Sequence, residues 1–397
     1  MPKRYRELDP PTRLLLGPGP SNPEPRVLRA MAVPLLGQFD PVFTEYMDDV
    51  VELQRVVFQT DNERCFPVSG SSRAALEAAI ANLVVPGDRV LVAVCGRFGQ
   101  LMSLLAERAG GEVREVHADW GRIVEPEAIA AELGRFKPKV VAVVHGETST
   151  GVCQPLEEIA SLCRRHSALL VVDAVVSLGG IDLPVDRLGI DVCTSGLQKC
   201  LGGPSGLSPL TYNARAEVAM QERRRPPSSN YLDLDQLARY WSVERWNHHT
   251  APTSMVYALR EALRIIAEEG LARRFARHRA VGAALCAGLE AMGLELFGDR
   301  RHALPMLTPV LIPDGVDDVR TRAALLEEFG IEIGAAFGPL QGVVWRIGTM
   351  GYNAQLANVL TLLGALEQVL SAQGFNVQPG VALAAASERY RALAPAA

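Results

Sequence analysis

Between residues 64 and 194, short apolar runs alternate with helix-forming stretches, and this alternation restricts the possible folds more than any other feature. The runs are Cys65-Phe66-Pro67-Val68, Arg89-Val90-Leu91-Val92-Ala93, Glu112 to Val116, Val140-Val141-Ala142-Val143-Val144, Leu169-Leu170-Val171-Val172-Asp173 and a shorter one near Val192. Helices are expected from Arg73, from Gly99 to Ala109, from Glu125 to Arg135 and from Pro155 to His166. Strands separated by helices build βαβ units and a mainly parallel sheet. Runs such as 140–144 lack any polar alternation, so helices should cover both faces of that sheet. The expected class is α/β, with the sheet sandwiched by helices.

After about Ala251 the pattern changes. Helices are expected at 254–269, 271–292, 318–329 and 354–373, with strands near 306–312 and 343–347, which together suit a smaller α+β domain. The expected division is an N-terminal arm (1–25), a large domain (26–260), a small C-terminal domain (261–375) and a tail (376–397). The arm contains Leu16-Gly17-Pro18-Gly19-Pro20-Ser21-Asn22-Pro23, which cannot form a regular element. The leucines at 14, 15 and 16 argue that it packs on the body of the protein. Residues 41–58 suit an amphipathic helix, and the alanine-rich tail a helix with no obvious docking face.

Composition narrows the function classes. At 397 residues, with 48% apolar and 21% charged residues, the chain can bury the core of a soluble two-domain protein. The net charge is -5 and the densest basic cluster, Arg223-Arg224-Arg225, is short, so a nucleic-acid partner is not expected. No apolar run is long enough to span a bilayer. The basic start Met1 to Glu7 lacks the apolar stretch of a signal peptide, and Pro395-Ala396-Ala397 matches no address. The seven cysteines are odd in number and none has CxxC spacing. They suit reduced thiols in a cytoplasmic protein, with neither a disulfide framework nor a metal site.

The chemistry centres on Thr194-Ser195-Gly196-Leu197-Gln198-Lys199-Cys200-Leu201-Gly202-Gly203. Alone, Lys199 could be an exposed loop lysine. Upstream, Asp173 ends an apolar run. A lysine that forms a Schiff base with an aldehyde cofactor, and an aspartate that keeps the cofactor's pyridine nitrogen protonated, fit that pairing. Ser69-Gly70-Ser71-Ser72-Arg73 lies between a strand and a helix, where backbone N–H groups and the helix dipole favour a phosphate. A plain N-cap is the alternative, and the P-loop spacing is absent. Phe98 opens the next helix and could stack on a flat ring or simply pack in the core. Thr148 lies in another loop at the same sheet edge, where such folds bind ligands, although that Ser/Thr/Gly cluster could equally be a turn. Arg346 lies in an apolar strand and needs an anion, either a substrate carboxylate or a structural partner.

These stretches, in this order, resemble the fold-type I, class V aminotransferases of the alanine–glyoxylate and serine–pyruvate branch, from Gly17 to about Gly374. The matching motifs are 16–23, Val68-Ser69-Gly70-Ser71, His145-Gly146-Glu147, Ser149-Thr150-Gly151, Val172-Asp173, Ser177-Leu178-Gly179-Gly180, Ser195-Gly196, Gln198-Lys199, His248-His249-Thr250 and Arg346-Ile347-Gly348. The resemblance implies a seven-stranded PLP-transferase fold, with pyridoxal 5′-phosphate on Lys199 and Asp173 at the ring nitrogen. It implies Phe98 on the ring, where relatives carry tryptophan, Thr148 near the ring oxygen and Val175 beside the cofactor. Ser71, Ser72, Arg73 and Gln198 would hold the phosphate, with Thr250 entering from a second subunit of a homodimer whose active site lies at the interface. Arg346 and the backbone of Gly19 would hold the substrate carboxylate.

Two departures single out one branch. Asn247 stands where alanine-using relatives have tyrosine, and Leu36-Gly37-Gln38-Phe39 replaces a histidine-containing loop. The pattern is similar to the (S)-ureidoglycine–glyoxylate aminotransferases of purine (allantoin) breakdown. The carboxamides of Gln38 and Asn247 would supply donors and acceptors to a ureido group. The implied reaction is ping-pong transamination, with glyoxylate as acceptor and glycine and oxalurate as products. A general alanine– or serine–glyoxylate aminotransferase is the nearest alternative. A cysteine desulfurase would need a cysteine on a mobile loop, whereas Cys163 and Cys286 fall in expected helices. A non-enzymatic cofactor-binding regulator would usually carry an added DNA-binding domain, for which neither end shows a pattern.

Overall fold

The apolar runs assemble into one seven-stranded sheet in a computed structural model that describes residues 5–394. Readings that rest on residues 1–4 and 395–397 lie outside the described residues. Across the sheet the strands run Arg64–Gly70, Gly206–Tyr212, Val192–Thr194, Leu169–Asp173, Val140–Val144, Arg89–Val94 and Glu112–His117. All but Gly206–Tyr212 point the same way. Every residue of 140–144 and 169–173 is buried, as their unbroken apolar character requires. Each such valine or leucine contributes about 1.5–3 kcal/mol relative to an exposed one.

Gly206–Tyr212 is a strand the sequence pattern does not announce. Pro209 lies at its centre, which argues against an internal strand. In register it faces another proline, Pro67. Two prolines can face each other only at a non-hydrogen-bonded position of an antiparallel pair, where neither N–H is required. On the other side, Pro209 still accepts through its carbonyl, from Ser195 N. Helices Pro25–Met31, Ala214–Gln221 and Leu234–Trp241 are also absent from the sequence expectation. Each is eight residues or shorter, too few for a clear helical period.

The helix expected at 41–58 spans Pro41–Phe58, and the one at 318–329 spans Asp318–Phe329. Their starts have local causes. Asp40 caps the first through Val42 N at 2.8 Å, with Pro41 in the first turn. Asp317 caps the second through Arg320 N at 2.7 Å.

Beyond the sheet, antiparallel strands Leu307–Leu311, Val344–Gly348 and Gly334–Ala335 form a second sheet. A large apolar core runs from Val27 to Ile266, and another joins Leu16 to residues between Val281 and Ala386. The N-terminal arm packs as expected. Leu14–Leu15 pairs in parallel with Ile331–Glu332, and Leu16 is fully buried. The alanine-rich tail forms the helix Val381–Leu393 and docks on the helix Leu271–Ala291. Gly288 makes the docking possible, because a β-carbon there would stand 3.0 Å from Ala382 O.

Arg223 of the basic cluster is half-buried. It turns inward to the carbonyl and side-chain oxygens of Asn82 at 3.1 and 3.0 Å. All seven cysteines are free thiols. Among the described residues no helix is long and apolar enough to cross a membrane, and no cluster of His, Cys, Asp and Glu is placed to hold a metal ion.

Candidate active site

Asp173, Lys199, Thr148, Phe98 and the Gly70–Ser72 turn all follow the carboxyl ends of strands that share one direction, so they gather along one edge of the sheet. Lys199 is half-buried, and its Nζ donates to Pro18 O. Burial and the Arg346 guanidinium lower its pKa to about 8, which leaves a useful fraction of neutral amine near neutral pH. A β-carbon on Gly19 would collide with Lys199 Nζ, and Gly19 has φ +112°. Glycine is required there on both counts. Ser21 closes the contact from the arm, with N donating to Gln198 O at 3.1 Å and Oγ to Lys199 O at 3.1 Å.

Asp173 is buried, and its Oδ1 accepts from Val175 N at 2.8 Å. Burial pushes its pKa up to about 7; Glu147 adds to the rise and Lys199 opposes it. A carboxylate so poorly solvated is strongly drawn to a cationic partner.

Glu147 is the residue whose role the sequence did not reveal. It is fully buried and takes four donors: Phe98 N at 2.9 Å, Gly99 N at 3.2 Å, Ser149 N at 3.0 Å and Ser149 Oγ at 2.6 Å. It thereby caps the first turn of the helix Arg97–Arg108 and holds the backbone of Phe98. Burial raises its pKa, against the pull of those donors. Its signal was a carboxylate three residues beyond an unbroken apolar strand, Val140–Val144. Nearby, His145 Nδ1 meets Ser177 Oγ at 2.9 Å, and burial pushes the imidazole pKa down to about 4.

Arg346 is buried. Its Nε donates to Ala335 O at 2.8 Å, its Nη1 to Thr148 O at 3.1 Å, and its guanidinium lies 4.4 Å from the Phe337 ring centre. Burial lowers its pKa to about 10. Among the described residues no carboxylate forms a salt bridge with it. The structural ion pair that the sequence left open is therefore absent there, and a charge-assisted site for an anion remains.

A second group of residues forms a cradle. Ser71 is the N-cap of the helix Ser72–Leu83, yet its side chain makes no capping bond. Gln198 Nε2 donates to Ser72 Oγ at 3.0 Å, while Gln198 Oε1 is buried without a partner in the chain. A β-carbon on Gly196 would stand 2.8 Å from Ser72 Cβ, 3.0 Å from Gln198 Oε1 and 3.2 Å from Val175 Cγ1. Arg73 is exposed at the helix start.

Gln38, Asn247 and Thr250 form a third group at an exposed rim. Gln38 Nε2 donates to Asn247 Oδ1 at 3.1 Å, and Ala251 N donates to Gln38 Oε1 at 3.0 Å. Asn247 and Thr250 are exposed. The rim is tied to the cradle strand by His249 Nε2, 2.8 Å from Ser69 Oγ. The sequence linked these three residues to the lysine only through resemblance, and among the described residues of one chain no hydrogen bond joins them to it.

The fold and this edge are those of pyridoxal-phosphate-dependent transferases of fold type I. The aminotransferase class V family profile matches residues 36–340. The chain is 47% identical to the (S)-ureidoglycine–glyoxylate transaminase of Bacillus subtilis (strain 168), over 97% of each chain. It is 42% identical to the alanine–glyoxylate aminotransferase of Callithrix jacchus, over 91% of this chain and 88% of that one. A crystal structure of the ureidoglycine–glyoxylate aminotransferase from Bacillus subtilis superposes with a TM-score of 0.96 at 49% identity, covering 97% of this chain and all of that one. The chain belongs to the class V aminotransferase family, and its cofactor is pyridoxal 5′-phosphate. The residues present fit that group. The Ser71 hydroxyl, which makes no capping bond, and the N–H groups at the start of the helix Ser72–Leu83 can donate to a phosphate, beside a Gly196 packed too tightly for any side chain. A desolvated carboxylate and a lysine of lowered pKa suit the two ends of the ring.

Proposed function

We propose that this aminotransferase moves the amino group of (S)-ureidoglycine to glyoxylate, giving oxalurate and glycine, as a step of purine (allantoin) breakdown. The observation that carries this reading is the carboxamide pair Gln38–Asn247, bonded at 3.1 Å, with the nearby His249 meeting Ser69 of the cradle strand at 2.8 Å. Among the described residues Asn247 makes no other side-chain hydrogen bond, so its Nδ2–H₂ is available to a ureido carbonyl. A site that hydrogen-bonds a ureido carbonyl through Asn247 Nδ2 disfavours alanine, whose side chain offers that group no acceptor. The similarity to the Bacillus subtilis transaminase points the same way.

Bound pyridoxal phosphate supplies the electron sink that lets a proton leave the donor's Cα. The chain's residues do the rest. Lys199 would hold the cofactor, and its freed Nζ would take the donor's Cα proton and pass it to the cofactor's carbonyl carbon across the transferred nitrogen, a role suited to an amine with pKa about 8. Asp173 keeps the ring nitrogen protonated. Phe98, its backbone fixed by Glu147, would cover the ring, with Val175 beside it and Thr148 near the ring oxygen. Ser71, Ser72, Arg73 and Gln198 hold the phosphate. Arg346, with the Gly19 backbone, orients the carboxylate shared by donor and acceptor.

We further propose a homodimer in which Asn247 and Thr250 complete the partner's site. Exposed Leu35, Phe39, Val42, Val243 and Trp246 surround the Gln38–Asn247 rim, an apolar surface that a second copy would cover. The two apolar cores support a division near residue 260, with the cofactor in 26–260 and the carboxylate-binding arginine in 261–375.

The test is a specificity measurement. Asn247→Tyr is expected to lower kcat/KM for ureidoglycine by about 10- to 100-fold while changing alanine use by less than about threefold. Equal losses with both donors would remove the carboxamide from the specificity argument. Better alanine use than ureidoglycine use by the unaltered enzyme would favour an alanine–glyoxylate aminotransferase.

A further inference from the structure

One turn of the helix Leu271–Ala291 grips the candidate site from behind. Arg274 is 3% exposed. Its Nε donates to Gly179 O at 2.8 Å, its Nη2 to Cys200 O at 2.6 Å and its Nη1 to the Glu269 carboxylate at 2.7 Å. Arg277 shares that carboxylate at 2.6 and 2.9 Å, and its Nη1 donates to Gly351 O at 3.0 Å and Ala354 O at 2.8 Å. His278 completes the turn. Its Nδ1 lies 2.9 Å from Arg274 O, and a carbonyl only accepts, so the proton is on Nδ1. Nε2 is then the acceptor for Gly351 N at 3.1 Å. Burial, reinforced by Arg274 and Arg277, keeps this imidazole neutral, with its pKa pushed down to about 3.

The gripped groups are not scattered. Gly179 lies just beyond Asp173, Cys200 adjoins Lys199, and Gly351 lies just beyond Arg346. Gly351 also lies against the lysine loop. A β-carbon there would stand 3.1 Å from Lys199 O and 3.3 Å from Cys200 O. Thus the three segments that carry the carboxylate, the lysine and the arginine are all tied through main-chain oxygens or nitrogens to residues 274–278.

A lysine that must swing at Nζ needs its Cα fixed by something other than its own side chain. Ser21 holds the carbonyl of Lys199 on one side, and Arg274 holds that of Cys200 on the other. A planar guanidinium can serve two carbonyls and a carboxylate at once in a fixed fork, whereas an ammonium cannot reproduce that geometry. We propose that Arg274 is a positioning residue for Lys199, setting the Lys199–Cys200 backbone against the Asp173 and Arg346 segments. The proposal rests on Lys199 being the cofactor-bearing residue.

The competing role is a buried ion pair with Glu269 that contributes only to stability. Arg274→Lys separates the two, because it keeps the charge beside Glu269 but cannot clamp both carbonyls. In the pyridoxal-phosphate-loaded enzyme, Arg274→Lys is expected to lower kcat about 10- to 100-fold with KM for glyoxylate within about twofold. The pH midpoint of the visible band of the lysine-bound cofactor should shift by at least about half a unit, since it reports the lysine's geometry. Arg274→Ala should behave alike, and added guanidinium ion should restore part of both the rate and the midpoint. Wild-type kcat and band midpoint in folded Arg274→Lys would overturn the proposal. So would losses in either variant that follow only the fraction of folded protein. If Lys199→Ala keeps the visible band, the lysine assignment itself has failed; if that band is lost while Arg274 variants match wild type, only the positioning role has failed.

Discussion

Replacing Lys199 with alanine abolishes the visible band of the lysine-bound cofactor and lowers kcat by at least about 10⁴-fold, because one side chain both binds the cofactor and carries the proton. Among the described residues no other lysine is placed to take over. The chain contains four, at 3, 137, 139 and 199. Lys139 is committed to Leu83 O and Asp88 at 2.7 Å, at the amino end of its strand and therefore at the opposite sheet edge. Lys137 lies beside it, at the end of the helix Pro126–Phe136. The checks are an absorbance spectrum and a single-turnover assay; an unchanged spectrum would refute the role of Lys199.

Asp173→Asn should give two effects of opposite sign. In the loaded enzyme kcat falls about 10³-fold, since a neutral amide does not hold the ring nitrogen protonated. In the cofactor-free protein the same change stabilises the fold. Asp173 has a folded pKa of about 7 against the ordinary 3.8. A carboxyl raised in this way adds stability that is complete below its unfolded pKa and is lost as pH rises through about 7. Above pH 8 the cofactor-free wild type must bury an ionised carboxylate that the variant lacks. The variant should then be more stable by up to about 4 kcal/mol, and the two should converge near pH 4. Denaturant unfolding across that range checks the sign. A variant less stable than wild type at pH 8 would show that Asp173 is not a desolvated carboxylate.

The parts of the protein visible in its sequence are those with a local cause. The runs at 140–144 and 169–173 are unbroken because both faces of the strand are covered, and the helices at 41–58 and 318–329 begin at aspartate caps. Asp173 stood out as a carboxylate ending an apolar run, and Lys199 as a lysine between small and polar residues before a glycine-rich turn. What stayed hidden depends on partners distant in the chain. Pro209 fits an internal strand because it faces Pro67 at a non-hydrogen-bonded position of the antiparallel pair. Glu147 acts through backbone groups 48 and 49 residues away, and Arg274 through carbonyls 74 and 95 residues away, so neither spacing forms a motif. Gln38 and Asn247 meet across 209 residues, and only the resemblance brought them together beforehand.

The most direct measurement mixes the yellow, pyridoxal-phosphate-loaded enzyme with one amine at a time, without an acceptor, and follows loss of the visible band by stopped flow. The rate constant divided by donor concentration is predicted to be largest for (S)-ureidoglycine, at least about 10-fold above alanine and serine, with oxalurate formed in step with the loss of colour. Rapid bleaching by alanine or serine, with little or none by ureidoglycine, would contradict the assignment.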